Sequence, residues 1–210
     1  MTSVAVVGAT GAVGRAVLSI LDERGFSVTS LRLMASARSA GSTIATPWGD
    51  VVVEDLEDAD PSGIDVAIFS AGGGRSKDHA PRFAAAGAVV IDNSSAFRME
   101  DAVPLVVAGV NDHAVAGHQG IIANPNCTTM TALMAIAPLH RAAGLKGMHA
   151  SSYQAVSGSG KTGTDELSRQ VQWFQQDESA LIDGGWEDPG GSLYPRPIGF
   201  NVLPIIGEAD

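Results

Sequence analysis

Short, largely apolar runs in the first half of the chain predict the strands of a parallel sheet. They cover residues 3–9, 30–34, 51–54, 64–70 and 88–91. Runs such as Val-Ala-Val-Val, without polar alternation, are typical of strands that are buried on both faces. The segment after the first run instead carries Val13, Val17 and Leu21 at helical spacing and stops near Gly25. Strands that alternate with helices predict an α/β fold with a doubly wound parallel sheet.

The same reasoning predicts the remaining elements. Further helices are expected at residues 79–86, 130–139 and 164–175, further strands at 109–110, 121–123, 148–156 and 198–202, and a Gly/Pro-rich loop at 183–197.

The loop between the first strand and the first helix is rich in glycine. Gly8, Gly11 and Gly14 give the spacing G-x-x-G-x-x-G, one residue away from the dinucleotide fingerprint G-x-G-x-x-G. Little side-chain bulk at such a turn lets a pyrophosphate approach the N-terminus of the helix. The loop therefore predicts a Rossmann-like nucleotide site.

The loop after the second strand distinguishes the two nicotinamide cofactors. NAD-binding domains usually place an acidic residue here for the ribose 2′-hydroxyl group. This chain has Ser36, Arg38 and Ser39 instead. Hydroxyl groups and a guanidinium suit a 2′-phosphate, so the sequence favours NADP over NAD. The alternative is an ordinary polar loop.

The only cysteine, Cys127, follows the turn signal Asn124-Pro125-Asn126 and precedes an apolar helix. A position at a helix N-terminus favours a thiolate, because backbone amides and the helix dipole stabilise negative charge there. Cys127 is therefore a candidate covalent nucleophile. The alternative is a small buried hydrophobic residue.

Composition narrows the class of protein. Of 210 residues, 45% are hydrophobic, and 13 basic against 23 acidic residues give a net charge of −10. This charge disfavours non-specific binding to nucleic acid or to anionic membranes. One cysteine excludes an internal disulfide, and neither Cys nor His residues cluster at metal-ligand spacing. Without a targeting signal or an apolar run of spanning length, we expect a cytoplasmic protein.

Five ordered motifs closely resemble those of aspartate-β-semialdehyde dehydrogenase. They are residues 8–14, Ser36-Ala37-Arg38-Ser39, Asn93-Ser94-Ser95-Ala96-Phe97-Arg98, Asn124-Pro125-Asn126-Cys127 and residues 152–158. In that family NADPH reduces L-aspartyl-β-phosphate to aspartate semialdehyde and releases phosphate, an early step towards lysine, threonine, methionine and isoleucine. The resemblance implies an NADP-binding domain over residues 1–125 and the start of an α+β catalytic and dimerisation domain over residues 126–210. It also implies a homodimer or homotetramer.

The resemblance implies a role for each matching residue. Cys127 corresponds to the nucleophile that forms an acyl-thioester, and Asn126 lies beside it. Gln154 corresponds to the residue that orients the acyl group, and Arg98 to the arginine that binds the substrate phosphate. The implied NADP contacts are Gly8, Thr10, Gly11, Ala12, Val13, Gly14, Ser36, Arg38, Ser39, Ser157 and Gly158.

The chain departs from the family at its end, where members continue with a carboxylate-binding arginine and an acid/base histidine. We therefore expect a truncated chain with low or no activity alone, and a non-catalytic NADP-binding module is one alternative. A P-loop hydrolase or kinase is another, since residues 155–162 resemble G-x-x-x-x-G-K-[ST] with Ala155 in place of the first glycine. N-acetyl-γ-glutamyl-phosphate reductase shares the chemistry but has a different cysteine motif.

Overall fold

The computed structural model describes residues 2–176 and 190–204. The chain forms two compact units, residues 1–152 and 153–210, which we treat separately. The elements of the first unit are β1 (Thr2–Val7), α1 (Ala12–Glu23), β2 (Val28–Ala35), β3 (Thr43–Thr46), β4 (Gly49–Asp55), β5 (Val66–Phe69), α2 (Gly73–Ala85), β6 (Val89–Asp92), a 3₁₀ helix (Asp112–Gly117), β7 (Ile121–Ala123) and α3 (Cys127–Ala143). Those of the second unit are a 3₁₀ helix (Val156–Ser159) and α4 (Gly160–Phe174).

The first unit is built on one seven-stranded sheet with the order β3-β4-β2-β1-β5-β6-β7. Every neighbouring pair is parallel except β3 and β4, which are antiparallel. From β1 in the middle of the sheet, the chain first adds β2, β3 and β4 on one side. It then returns to the other side of β1 and adds β5, β6 and β7 in order. The predicted Rossmann-like sheet is confirmed, with its switch point between β1 and β5.

The strand β1 is buried on both faces, as its apolar run predicts. Ala5 and Val7 belong to a core cluster that also contains Phe69 of β5 and Phe83 of α2. Val4 and Val6 belong to a second cluster with Leu18 of α1 and Leu33 of β2. Successive residues of β1 therefore pack on opposite faces of the sheet, and each face is covered.

Three predicted strands are wrong. Residues 109–110 form a turn, in which Gly109 has a φ of +79° and the Asn111 side chain accepts a hydrogen bond from the Val107 amide. Residues 148–155 are irregular. Residues 198–202 are not a strand either. Gln170 Oε1 accepts hydrogen bonds from the amides of residues 198 and 199, and Phe200 has a φ of +55°.

Smaller corrections concern element boundaries. The prediction missed the short strand β3, and it started α2, α3 and α4 several residues too late. The predicted loop at 183–197 lies partly outside the described residues, and its part from 190 to 197 is irregular.

Two glycines permit the close packing of the loop that follows β1. Gly8 has a φ of +88°, and a Cβ atom there would overlap with the carbonyl group of Ser70 after β5. A Cβ atom on Gly14 would overlap with the Gly8 carbonyl oxygen and lie 2.7 Å from Ala9 Cα. The first turn of α1 therefore lies directly on the loop, at a distance that only glycine allows.

In the second unit, α4 holds the segment that follows residue 190 through a buried carboxylate. Glu166 is fully buried, and its Oε2 atom accepts hydrogen bonds of 2.9 Å from the amides of Ser192 and Leu193. Its Oε1 atom accepts from the Tyr194 amide at 3.3 Å. Burial raises the pKa of Glu166, but these three amides and the nearby Arg169 outweigh it, so that the pKa is lowered.

The glycine contacts predict opposite outcomes for two helical glycines. Gly14→Ala should lower the free energy of unfolding by about 2 kcal/mol, because the new methyl group meets backbone atoms that cannot move aside. Gly74→Ala is the matched control, since a Cβ atom there has nothing within 4 Å. It should leave stability unchanged or raise it by up to about 1 kcal/mol. Urea unfolding of both variants measures the difference, and equal stabilities would contradict the packing described.

The lowered pKa of Glu166 predicts how the stability of the second unit depends on pH. The carboxylate makes its full contribution to the free energy of unfolding above its unfolded-state pKa of about 4.3. This contribution is lost as the pH falls through the lower folded-state pKa. Glu166→Gln should cost about 1–3 kcal/mol at pH 7, because an amide group then faces backbone amides.

The difference in unfolding free energy between the wild type and Glu166→Gln should be constant from pH 7 to 5 and shrink below about pH 4.3. Asp165→Asn is the control in the same helix, since Asp165 is exposed and pairs with Lys161 at the surface. It should change stability by less than about 1 kcal/mol. A pH-independent difference for Glu166→Gln would contradict the prediction.

Candidate functional site

Four loops of the first unit meet at one edge of the sheet, because the carboxyl ends of parallel strands lie at the same edge. The loop after β1 carries the glycines, and the loop after β5 leads into α2. The loop after β6 carries residues 93–98, and the loop after β7 leads into Cys127. This edge therefore gathers most of the residues that the sequence singles out.

The glycine loop forms an open cradle at the start of α1. The amides of Gly8 and Ala9 both donate to the Met34 carbonyl oxygen of β2, at 2.8 and 3.2 Å. Gly11 is the N-cap residue of α1 and has no side chain with which to cap the helix. Thr10 is half-buried, and Gly11, Ala12 and Val13 are exposed. Open amides at a helix N-terminus and a loop without side-chain bulk suit a pyrophosphate, so the residues present fit a dinucleotide.

The residues expected to bind the 2′-phosphate, Ser36, Arg38 and Ser39, directly follow the neighbouring strand β2. The Ser36 carbonyl oxygen accepts hydrogen bonds from the amides of Ser39 and Ala40, at 2.8 and 3.1 Å, and closes a turn. Ser36 and Ser39 are half-buried, whereas Arg38 is exposed. The turn follows β2 and the glycine loop follows β1, which is adjacent to β2 in the sheet. The glycine loop is hydrogen-bonded to Met34 of β2, two residues before the turn begins.

Cys127 is the first residue of α3 and is exposed. The alternative of a buried structural cysteine is therefore contradicted. Asn126 is the N-cap residue, and its Oδ1 atom accepts hydrogen bonds from the amide and the hydroxyl group of Thr129, at 2.9 and 3.1 Å. The turn signal in the sequence thus produces a capped helix with the thiol in its first turn.

Arg98 joins two of the loops at this edge. Its Nε atom donates to the Asn124 carbonyl oxygen at 2.8 Å, and its Nη2 atom donates to the Asn93 carbonyl oxygen at 3.0 Å. The Asn124 side chain also donates to Asn93 Oδ1 at 2.5 Å. The half-buried guanidinium therefore lies between the loop after β6 and the residues that lead directly into Cys127. Its remaining N–H groups can meet an anion.

Two buried polar residues lie beside this bridge, and sequence reasoning noted Asp92 only as part of a polar strand end and missed Ser76. Asp92, the last residue of β6, and Ser76 of α2 are both fully buried, and Ser76 Oγ donates to Asp92 Oδ1 at 2.7 Å. The signal available was the Asp-x-Ser spacing at a strand end, which is typical of an Asx turn. The structure contains that turn, since the Ser94 amide donates to Asp92 Oδ1 at 3.2 Å.

The other predicted site residues belong to the second unit. Gln154 is exposed and lines an open groove of about 670 Å³ together with Val156, Leu167 and Phe200. Ser157 and Gly158 lie in the 3₁₀ helix that precedes α4 and are exposed.

The P-loop alternative finds little support in the second unit. Residues 145–155, where a P-loop would follow a strand, are irregular. Lys161 of that motif pairs with Asp165 one turn along α4, at 2.8 Å.

The described residues contain neither a metal-binding cluster nor a helix suited to a membrane. Among residues 2–176 and 190–204, no group of three or more His, Cys, Asp and Glu side chains is placed to hold a metal ion. In the same ranges no helix has both the length and the apolar character to cross a bilayer.

Comparisons with known proteins agree with this architecture. The family model described as "Semialdehyde dehydrogenase, NAD binding domain" matches residues 3–118, and the model "Semialdehyde dehydrogenase, dimerisation domain" matches residues 136–210. An aspartate-semialdehyde dehydrogenase of Streptomyces akiyoshiensis is 52% identical over 98% of this chain and 60% of its own length.

Solved structures give the same result. Aspartate semialdehyde dehydrogenase II of Vibrio cholerae, complexed with ASA, superposes with a TM-score of 0.87 at 41% identity, over 99% of this chain and 60% of its own. The Candida albicans aspartate semialdehyde dehydrogenase with NADP superposes with a TM-score of 0.54 at 29% identity, over 69% of this chain and 48% of its own.

This chain thus spans about 60% of the length of the curated relatives that it matches. Within that span, one family model covers strands β1 to β6 and the other covers the region that contains α4. The chain therefore belongs to the aspartate-semialdehyde dehydrogenase family.

Proposed function

We propose that this chain provides the nucleophile and the NADP site for the reduction of L-aspartyl-β-phosphate to L-aspartate semialdehyde, with release of phosphate. The observation that carries the proposal is the position of Cys127. It is exposed in the first turn of α3, at the same sheet edge as the open glycine loop. A thiol in that setting can attack an acyl group, and a dinucleotide in that loop can reach it.

The proposal assigns protein groups to both the pyrophosphate and the 2′-phosphate of the nucleotide. The glycine loop, from Gly8 to Gly14, binds the pyrophosphate, and Ser36, Arg38 and Ser39 bind the 2′-phosphate of NADP. Ser157 and Gly158 are assigned by resemblance alone. When bound, NADPH supplies the hydride that reduces the acyl group. The relative from Candida albicans was solved with NADP, which supports this choice of cofactor.

The first half-reaction transfers the acyl group to the enzyme. The Cys127 sulfur attacks the carbonyl carbon of the acyl phosphate, and the C–O bond to phosphate breaks as the thioester forms. Arg98 binds the departing phosphate through the N–H groups that its two backbone contacts leave available. Gln154 holds the acyl group in position, again by resemblance.

The second half-reaction releases the aldehyde. The thioester carbon receives a hydride and becomes tetrahedral, with its oxygen carrying the negative charge. The positive end of the α3 helix dipole favours that charge, and Asn126 fixes the N-terminus of the helix by capping it. Collapse of this intermediate breaks the C–S bond, frees the semialdehyde and regenerates the thiolate.

The proposal extends to assembly and location. The match to a dimerisation domain over residues 136–210 supports a homodimer or homotetramer. A cytoplasmic enzyme on the route to lysine, threonine, methionine and isoleucine, by way of diaminopimelate for lysine, is the setting that the family implies. The family's carboxylate-binding arginine and acid/base histidine are not assigned to any residue of this chain.

The second half-reaction can be tested in reverse, without full turnover. Incubation of the chain with aspartate semialdehyde and NADP, in the absence of phosphate, should give a burst of NADPH absorbance and an aspartyl adduct on Cys127. Mass spectrometry of the tryptic peptides locates the adduct. Cys127→Ser should give neither signal, because an alcohol at this position is far less nucleophilic than a thiolate.

The control for that test is NADP binding, measured by calorimetry on both proteins. Cys127→Ser should bind NADP as tightly as the wild type. A folded wild type that binds NADP but forms no adduct would contradict the proposal and favour a non-catalytic nucleotide-binding module.

The assignment of the 2′-phosphate site predicts a change in cofactor preference. Arg38→Ala should weaken NADP binding by about tenfold or more, because a charge-assisted hydrogen bond is lost, and should change NAD binding by less than about twofold. Arg24→Ala is the control, since Arg24 is also exposed but lies at the end of α1. Equal losses for NADP and NAD would contradict the assignment.

A further inference from the structure

Asp92 is a fully buried acidic residue with no role in the steps described above. Its Oδ1 atom accepts hydrogen bonds from Ser76 Oγ at 2.7 Å and from the Ser94 amide at 3.2 Å. Its Oδ2 atom accepts from Ser94 Oγ at 2.6 Å. Removal of a carboxyl group from water is costly unless hydrogen bonds compensate for it, so these contacts account for its presence in the core.

On one side, Asp92 contacts the helix that follows β5. Ser76 lies near the start of α2, one turn after its N-cap residue Gly72, and its amide donates to the Gly72 carbonyl oxygen at 3.0 Å. The loop after β6 packs against the same turn, because a Cβ atom on Gly73 would lie 3.4 Å from Ser95 Oγ. Asp92 thus joins the loop to the N-terminal turn of α2.

On the other side, Asp92 fixes the loop that carries Arg98. Ser94 Oγ, which donates to Asp92, also accepts a hydrogen bond from the Ala96 amide at 3.1 Å. The backbone carbonyl group of Asp92 accepts the Asn124 amide at 2.8 Å. The loop held in this way contributes Asn93, whose carbonyl oxygen binds the Arg98 guanidinium.

We propose that Asp92 is a positioning residue for the phosphate and thiol sites. Its carboxyl group holds the 93–98 loop against α2, and the loop in turn holds Arg98 and the residues that lead into Cys127. This inference rests on the proposed roles of Arg98 and Cys127. Asp92 itself touches neither substrate nor cofactor in this scheme.

The direction in which phosphate binding and Cys127 reactivity change on removal of the Asp92 carboxyl group distinguishes a positioning role from a purely electrostatic one. An acidic group near an anion site repels the anion, so its removal by itself should strengthen phosphate binding and should not slow the reaction of the Cys127 sulfur. Loss of positioning has the opposite effect, because Arg98 and the first turn of α3 then move away from the geometry that binds anions. A decrease in both properties in Asp92→Ala therefore indicates positioning.

The experiment measures alkylation of Cys127 by iodoacetamide, a neutral reagent, with increasing inorganic phosphate as the protecting anion. Asp92→Ala should slow alkylation in the absence of phosphate by about threefold or more, and raise the phosphate concentration for half-protection by about tenfold. Ser94→Ala, which retains the carboxyl group of Asp92, should shift both values in the same direction by a smaller factor. Asp92→Asn, which retains the shape, should lie between the wild type and Asp92→Ala.

A double variant tests whether Asp92 acts through Arg98. Arg98→Ala should also weaken phosphate protection by about tenfold, and Asp92→Ala combined with Arg98→Ala should be no weaker than Arg98→Ala alone, within about twofold. Ser62→Ala is the matched control, because Ser62 Oγ donates to Asp60 Oδ1 at 2.7 Å in an exposed turn. It should behave as the wild type does.

Each outcome decides the inference. Circular dichroism confirms that each variant is folded at the assay temperature, and Ser94→Ala serves if Asp92→Ala does not fold. Additive effects in the double variant, or wild-type values in Ser94→Ala and Asp92→Asn, would overturn the positioning role. If phosphate does not protect the wild type, the proposed phosphate site fails, and the alkylation rates without phosphate still test the positioning of Cys127.

Discussion

Arg98 donates hydrogen bonds to the carbonyl groups of Asn93 and Asn124, and the candidate site depends on this pair of contacts. Asn93 follows β6 and Asn124 follows β7, so the bridge fixes two neighbouring strand ends relative to each other. Asn124 is three residues before Cys127, and α3 begins at Cys127 itself. The direction in which α3 leaves the sheet, and hence the exposure of the thiol, follows from how this turn is held.

The same sheet edge imposes a second constraint, on backbone packing. Gly8 contacts the backbone after β5, and Gly14 lies directly on the loop between β1 and α1. These contacts bring the N-terminus of α1 close to the strand ends, and Gly11, Ala12 and Val13 there are exposed. Backbone packing therefore shapes the cradle for the nucleotide, whereas side-chain hydrogen bonds shape the region around Cys127. Both lie along the carboxyl ends of the strands, and the nucleotide cradle lies beside the switch point between β1 and β5.

Much of the fold could be predicted from the sequence, because its signals are local. The apolar run at residues 3–9 indicates a buried strand, the glycines after it indicate a tight turn, and Asn124-Pro125-Asn126 indicates the start of a helix. Elements that depend on distant contacts could not be predicted in this way. Residues 198–202 have the composition of a strand, but the Gln170 side chain binds two of their amides and Phe200 adopts a positive φ. The contacts of Arg98 and Asp92 likewise join residues that only the sheet brings together.

The central proposal is that the fold presents Cys127 as an accessible nucleophile. The most direct measurement compares its rate of alkylation by iodoacetamide in the native chain and in the chain unfolded in guanidinium chloride, at the same pH near neutrality. The account predicts that the native chain reacts at least as fast as the unfolded chain, because the sulfur lies exposed in the first turn of α3. A native rate well below the unfolded rate would contradict it.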